Sequence, residues 1–192
     1  MGRTRPVGGL LLTHGAGGNR DQPALVAIEE ALGTLPVRRM DFPYRKLGPR
    51  RPPDRAPKLV AAIEEEAADF CAARRFRPHR LALGGRSMGG RMCSMAVADG
   101  LPAAALVLIA YPLHPPGKPE KLRVEHLDRI DVPCLFVSGT RDAFGTPAEL
   151  EAATSRIPGP VTHRWFEGKG HDLRGVDREV AVVVRDWLRA LR

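Results

Sequence analysis

Gly85-Arg86-Ser87-Met88-Gly89 sets a serine between two glycines in the pattern G-x-S-x-G. A hydroxyl is a weak nucleophile at neutral pH, so acyl chemistry at Ser87 requires a base within hydrogen-bond reach and a carboxylate that orients the base. The surrounding LALGG-R-S-M-GG runs from an apolar strand pattern directly into a helical one. A serine at such a junction sits at the apex of a sharp turn with its hydroxyl thrust outward, and glycines are needed where the two backbones crowd. The same string also fits a glycine-rich turn whose serine merely caps a helix, and the partners have to separate the two.

An acid and a base stand at matching places further on. Gly139-Thr-Arg-Asp142 follows an apolar strand at residues 133–138, and Gly168-Lys-Gly-His171 follows a strand at residues 161–166. In a parallel sheet both loops leave from the edge that carries Ser87, the edge where such sheets hold their ligands. Other candidates are worse placed. His79 precedes a strand and so lies at the opposite rim, as does Asp131. His163 falls inside a strand, His114 and His126 lie in the connection after residue 110, and Asp172 adjoins the proposed base.

His14-Gly15-Ala16-Gly17-Gly18, after the first strand, supplies the remaining requirement. Acyl transfer passes through a tetrahedral oxyanion, and backbone N–H groups must already point to where that charge forms. One donor is expected from Met88, the residue after the nucleophile, and the second from Ala16. A nucleotide loop is the rival reading, but G-x-G-x-x-G starting at Gly15 would need glycine where Arg20 stands, and no G-x-x-x-x-G-K-[ST] occurs.

Strands at residues 7–13, 37–42, 80–85, 104–110, 133–138 and 161–166 alternate with helices at residues 21–32, 58–76, about 88–100 and 176–191. That alternation predicts an α/β fold, a three-layer αβα sandwich around about six parallel strands, with residues 1–192 as a single domain. Residues 36–58 are the outlier, with six of the 18 prolines and eight Lys/Arg against two Asp. Proline at that density is expected to exclude regular structure there.

The 192 residues carry a net charge of +8, from 25 Arg and 5 Lys against 22 acidic residues. Residues 36–58 hold most of that excess, so Arg45, Lys46, Arg50 and Arg51 are candidates to recruit an anionic substrate or an acidic partner. An aromatic content of 5%, with Phe42 and Tyr44 alone near the basic run, argues against nucleic acid as a partner. Cys71, Cys93 and Cys134 form no C-x-x-C and sit in apolar contexts, so they read as buried thiols of a reducing compartment and not as a disulfide framework or metal site. The first apolar run is too short for a signal segment, and none reaches the roughly 20 residues of a membrane span. A cytoplasmic location without membrane partners is expected; oligomeric state is open.

HGAGGN, MDFPYR with GPRRPPDRAPKL, GGRSMGGRM, AYPLHPPGKPEKLR, VSGTRDAFGT and GHDL, in that order over nearly the whole chain, resemble the α/β-hydrolase superfamily. More narrowly, they are similar to its small dienelactone-hydrolase-like branch, which also holds a testis-expressed hydrolase-like protein and a subunit of the non-specific lethal chromatin complex. The resemblance implies Ser87, Asp142 and His171 as nucleophile, acid and base, Met88 and Ala16 as oxyanion donors, and no cofactor or metal. It implies a minimal version of the fold, with the superfamily's first two strands and its lid missing, because the connection at residues 111–132 has room for one short helix. Dienelactone hydrolases proper carry a cysteine nucleophile, so their substrate does not transfer.

The expected activity is therefore hydrolysis of a carboxylic ester or related acyl bond on a small or surface-presented small-molecule substrate, an anionic one included. Thioester and amide hydrolysis remain open beside it. Candidate contacts to that substrate are His14, Gly15, Tyr44, Arg45, Tyr111 and His114. The alternative is a catalytically idle hydrolase-fold scaffold working through its surface, since a fold does not fix a function.

Overall fold

The computed structural model describes residues 6–191. The N-terminal segment excluded above as a signal lies in part outside them, at residues 1–5. Six strands form one parallel sheet: β1 (Gly9–Thr13), β2 (Val37–Met40), β3 (Leu81–Arg86), β4 (Ala105–Ile109), β5 (Cys134–Gly139) and β6 (Val161–Phe166), in the order β2-β1-β3-β4-β5-β6. The helices are α1 (Pro23–Leu32), α2 (Pro43–Lys46), α3 (Ala56–Arg74), α4 (Met88–Ala98), α5 (Pro147–Thr154) and α6 (Asp177–Ala190).

Alternate strand residues feed two separate cores, which gives the three layers. Leu11, Leu83, Leu106, Leu108 and Phe136 pack with Ile63 and Phe70 of α3 and Met92 and Ala96 of α4. Leu10, Leu12, Val107, Ile109 and Val137 face the other way, against Leu25 and Ile28 of α1 and Val180 and Val184 of α6. β1, β3, β4 and β5 are therefore apolar nearly throughout, as strands covered on both faces must be. β2, at the edge, carries Arg38 and Arg39, which pair with Glu66 and with Glu29 and Asp21.

Two expectations need correction. Beyond the strand expected at their start, which is β2, residues 36–58 do carry regular structure: the short helix α2 and the first residues of α3. Their prolines are compatible with it because Pro43 and Pro57 stand in the first turn of α2 and α3, where an N–H has no intrahelical partner. The sequence reading also omitted α5, although Thr146 and Glu149 form a reciprocal capping box at its start. Residues 111–132 contain one short 3-10 helix, Leu127–Arg129, and no inserted domain.

The chain passes from β1 to β2 on one side and returns to β3 on the other, which makes the carboxyl ends of β1 and β3 a topological switch point. Thr13 and Gly85 are register partners there. The glycine loop after β1 and the serine after β3 consequently open into one crevice, where open α/β sheets bind their ligands.

Candidate active site

Ser87 is held at φ 51° and ψ −119°, a left-handed conformation that side-chain-bearing residues rarely adopt. Strain of this kind costs on the order of 1–3 kcal/mol and persists only where the surroundings impose it. Here the Ser87 N–H donates to the Ile109 carbonyl of β4 at 2.8 Å, while α4 begins at the next residue. A Cβ on Gly89 would lie 2.5 Å from the His14 carbonyl oxygen, so only glycine lets α4 pass beneath the β1 loop. The serine stands at the N-cap position without capping the helix. Its Oγ lies instead 2.8 Å from Nε2 of His171.

His171 Nδ1 lies 3.0 and 2.9 Å from the two carboxyl oxygens of Asp142. A carboxylate only accepts, so the ring proton belongs on Nδ1 and Nε2 is left to accept from the Ser87 hydroxyl. Asp142 is buried and also accepts the Phe144 N–H at 2.8 Å. The loops that present acid and base are fastened together: Arg141 N–H donates to the Lys169 carbonyl at 2.9 Å, and Gly168 N–H to Thr140 Oγ1 at 2.9 Å. Phe144 stacks on the imidazole with ring centroids 4.0 Å apart, and Arg86 Nη2 donates to the His171 carbonyl at 3.2 Å.

Met88 and Ala16 both line the cavity beside Ser87. Met88 is the first residue of α4, so its N–H has no carbonyl within the helix to bond. The Ala16 N–H is aimed by its neighbours. His14, fully buried, accepts the Phe42 N–H at Nε2 (3.2 Å) and hence donates from Nδ1 to the Gly15 carbonyl at 2.8 Å. That carbonyl shares a planar peptide with the Ala16 N–H, so pinning the oxygen directs the hydrogen the opposite way. Burial lowers the affinity of His14 for a second proton and keeps it in this neutral form, against the pull of nearby Asp41. On the far side, Tyr44 Oη and Arg45 Nη2 both donate to the Ala16 carbonyl, at 2.9 and 3.1 Å.

The cavity has a volume of about 520 Å³. Of the residues expected to touch substrate, only Gly15 lies in its wall. His14, Tyr44, Tyr111 and His114 are buried outside it, and Arg45 is engaged with the carbonyls of Ala16 and Pro49. Lys46, Arg50 and Arg51 are exposed and also outside the wall. Gln22, Arg91, Pro112, Arg123 and Phe144 do line it, and sequence reasoning missed them. Arg91 lies one helical turn past Ser87 and was recoverable from i, i+4 spacing. Arg123 had no such signal, since its place depends on the path of an irregular connection. Cys93 is wholly buried beside Thr13, and burial pushes its thiol up to about 12, which leaves it no part in this cavity. Among the described residues there is no cluster of potential metal ligands and no helix long and apolar enough to cross a membrane.

Residues 7–187 match the family model described as an alpha/beta hydrolase domain. Among solved structures, a monoacylglycerol lipase from Paleococcus ferrophilus superposes with a TM-score of 0.77 at 14% identity, over 97% of this chain and 96% of that one. A dienelactone hydrolase from Anabaena variabilis ATCC 29413 gives 0.74 at 18% identity, over 96% and 87%. An alpha-beta serine hydrolase homologue from Coxiella burnetii gives 0.72 at 19% identity, over 97% and 86%. At these identities the likeness is one of fold.

Proposed function

This chain belongs to the alpha/beta hydrolase family, and from that membership we propose that it is a serine hydrolase cleaving a carboxylic ester or related acyl bond through an acyl-enzyme on Ser87. The observation that carries the reading is the unbroken chain from Ser87 Oγ through His171 to Asp142, at 2.8 and 2.9 Å, opening on a cavity. A merely structural serine at a helix start would cap it, and Ser87 does not.

In the first half-reaction Ser87 Oγ attacks the acyl carbon as its proton passes to His171 Nε2. The carbonyl oxygen takes the electron pair and is met by the N–H groups of Met88 and Ala16. Collapse re-forms the C=O bond and breaks the bond to the leaving group, which takes its proton from His171. In the second half-reaction His171 removes a proton from water, the resulting hydroxide attacks the acyl-enzyme, and Ser87 departs with that proton. Asp142 holds the ring and stabilises the imidazolium that forms twice in the cycle. Losing one oxyanion donor costs typically about 3–4 kcal/mol of transition-state stabilisation.

Residues 111–132 contribute wall residues and no lid, which suits a small or surface-presented acyl group. Three buried thiols suit a cytoplasmic setting. The test is labelling with a fluorophosphonate probe together with turnover of a p-nitrophenyl ester panel, with Ser87→Ala in parallel. Labelling of the native protein at Ser87 and turnover above the variant are expected. Neither labelling nor activity above Ser87→Ala would leave a hydrolase-fold scaffold.

A further inference from the structure

Three arginines, Arg86, Arg91 and Arg123, line the cavity that contains Ser87, and among the described residues no aspartate or glutamate does. Other half-buried arginines are relieved by carboxylates or by backbone carbonyls: Arg38 holds Glu66, Arg39 holds Glu29 and Asp21, Arg45 donates to the Ala16 and Pro49 carbonyls, and Arg80 to the Pro6 carbonyl. Arg86 is engaged with the His171 carbonyl. Arg91 and Arg123 have no ion-pair partner among the described residues. Arg91 Nε is buried without a hydrogen-bond acceptor, and the guanidinium of Arg123 has only the Pro112 carbonyl, at 3.4 Å.

Two unrelieved cations side by side in a half-buried site are costly unless an anion completes them. Their mutual repulsion is visible at Arg123, whose hold on its proton is weakened first by burial and then by Arg91. Both sit on firm supports. Arg91 belongs to the first turn of α4, its N–H donating to the Ser87 carbonyl at 3.1 Å. The Arg123 N–H donates to the Leu113 carbonyl at 2.9 Å, and its carbonyl accepts from buried Tyr111 at 3.2 Å. Planar guanidinium forks held this way suit a carboxylate or a phosphate.

We propose that Arg91 and Arg123 form an anion-binding subsite of the catalytic cavity, and that the substrate is an acyl compound bearing a carboxylate or phosphate away from the scissile bond. The inference rests on the hydrolase reading for its place in turnover, but the binding of the anion does not. It also relocates the basic feature that matters: the recruiting charges are in the cavity wall and not in the exposed arginines of residues 36–58.

The experiment compares kcat/KM for matched neutral and anionic esters: phenyl acetate with 4-acetoxybenzoate and 4-acetoxyphenyl phosphate, and phenyl butyrate with phenyl hemiglutarate. These arms separate carboxylate from phosphate and leaving-group from acyl placement. At least one anionic member is expected to exceed its neutral counterpart by about ten- to a hundredfold, the scale of a charge-assisted hydrogen-bond pair. That ratio should fall towards one in Arg91→Gln/Arg123→Gln and be partly restored in Arg91→Lys/Arg123→Lys. Ratios near one for every pair in the native protein, or a ratio that survives the double Gln change and is lost in Arg50→Ala/Arg51→Ala, would overturn the subsite. Fluorophosphonate labelling of each variant reports folding and the hydrolase reading separately. Should labelling fail throughout, calorimetric titration of Ser87→Ala with glutarate and with inorganic phosphate decides: binding abolished by the double Gln change sustains the subsite, and no binding of either anion ends it.

Discussion

The Tyr44 hydroxyl donates to the Ala16 carbonyl at 2.9 Å, joining a buried residue of the proline-rich segment to the loop that lines the cavity beside Ser87. With Arg45 bonded to the same oxygen at 3.1 Å and His14 bonded to the Gly15 carbonyl, Ala16 is fixed by a hydrogen bond on each side. Tyr44 is a positioning residue in this arrangement, since it lies outside the cavity wall.

Tyr44→Phe keeps the ring's packing against Phe42 and His14 and removes one of the two bonds to the Ala16 oxygen. A net hydrogen bond of about 0.5–1.5 kcal/mol corresponds to a fall in kcat of roughly two- to tenfold. KM should change little, because the oxyanion contact strengthens only in the transition state. Steady-state kinetics beside a melting curve checks this: a lower Tm with kcat intact would mean that Tyr44 only packs.

Thiol chemistry should be silent in the folded protein. Burial pushes the thiols of Cys93 and Cys134 up to about 12 and raises that of Cys71, so little thiolate exists and none of the three is accessible. Iodoacetamide at pH 8 is expected to leave ester turnover unchanged and add no mass to the native chain, while the guanidinium-unfolded chain takes up three adducts. A native adduct at Cys93 accompanied by loss of activity would contradict the placement of Cys93 outside the cavity.

The juxtaposition of Ser87, His171 and Asp142 was legible because its signals are local: a strand-to-helix glycine string around Ser87, and an acid and a histidine each a few residues past a strand end. The sheet was legible for the same reason, since strands covered on both faces are short apolar runs. The cavity wall was less so. Arg123, Pro112 and Phe144 reach the site from loops whose course has no periodicity. Tyr44, Tyr111 and His114 looked like substrate contacts because they sit near the catalytic rim in sequence. A side chain at a rim points into the cavity or back beneath it, and one-dimensional spacing does not separate the two. Proline density misled at residues 36–58, where two of the prolines start helices.

Stability should decline on mild acidification. His126 is buried, lies 2.8 Å from Ser94 Oγ, and is pushed down to about 4 by burial first and then by Arg91. In the unfolded chain it takes a proton near 6.5. Between those values the unfolded state binds more protons, so this contribution is complete above about pH 6.5 and is lost as pH falls towards 4. The full shift corresponds to something on the order of 3 kcal/mol. Burial lowers His14 and His163 as well, in the same direction. Urea midpoints from pH 7 to 4.5 should fall, and should fall less steeply in His126→Gln. An equal slope in the two proteins would remove His126 as a source of acid sensitivity.

Asp142→Asn separates orientation from charge at the base. The amide is nearly isosteric, and its oxygen can still accept the Phe144 N–H that Asp142 accepts at 2.8 Å, so the loop should keep its course. Towards His171 the side chain now offers an NH₂ group where an acceptor stood. A donor there selects the tautomer with the proton on Nε2, and that nitrogen then has no lone pair to receive the Ser87 proton. The expected result is a fall in kcat of about 10³- to 10⁴-fold with KM and Tm little changed. Turnover should recover in part towards high pH, where hydroxide replaces water as the attacking species and a general base matters less. Measured kcat within tenfold of the native protein would mean that the 2.9 Å contact between Asp142 and His171 is structural, and that the base at Ser87 is oriented by its stacking on Phe144 alone.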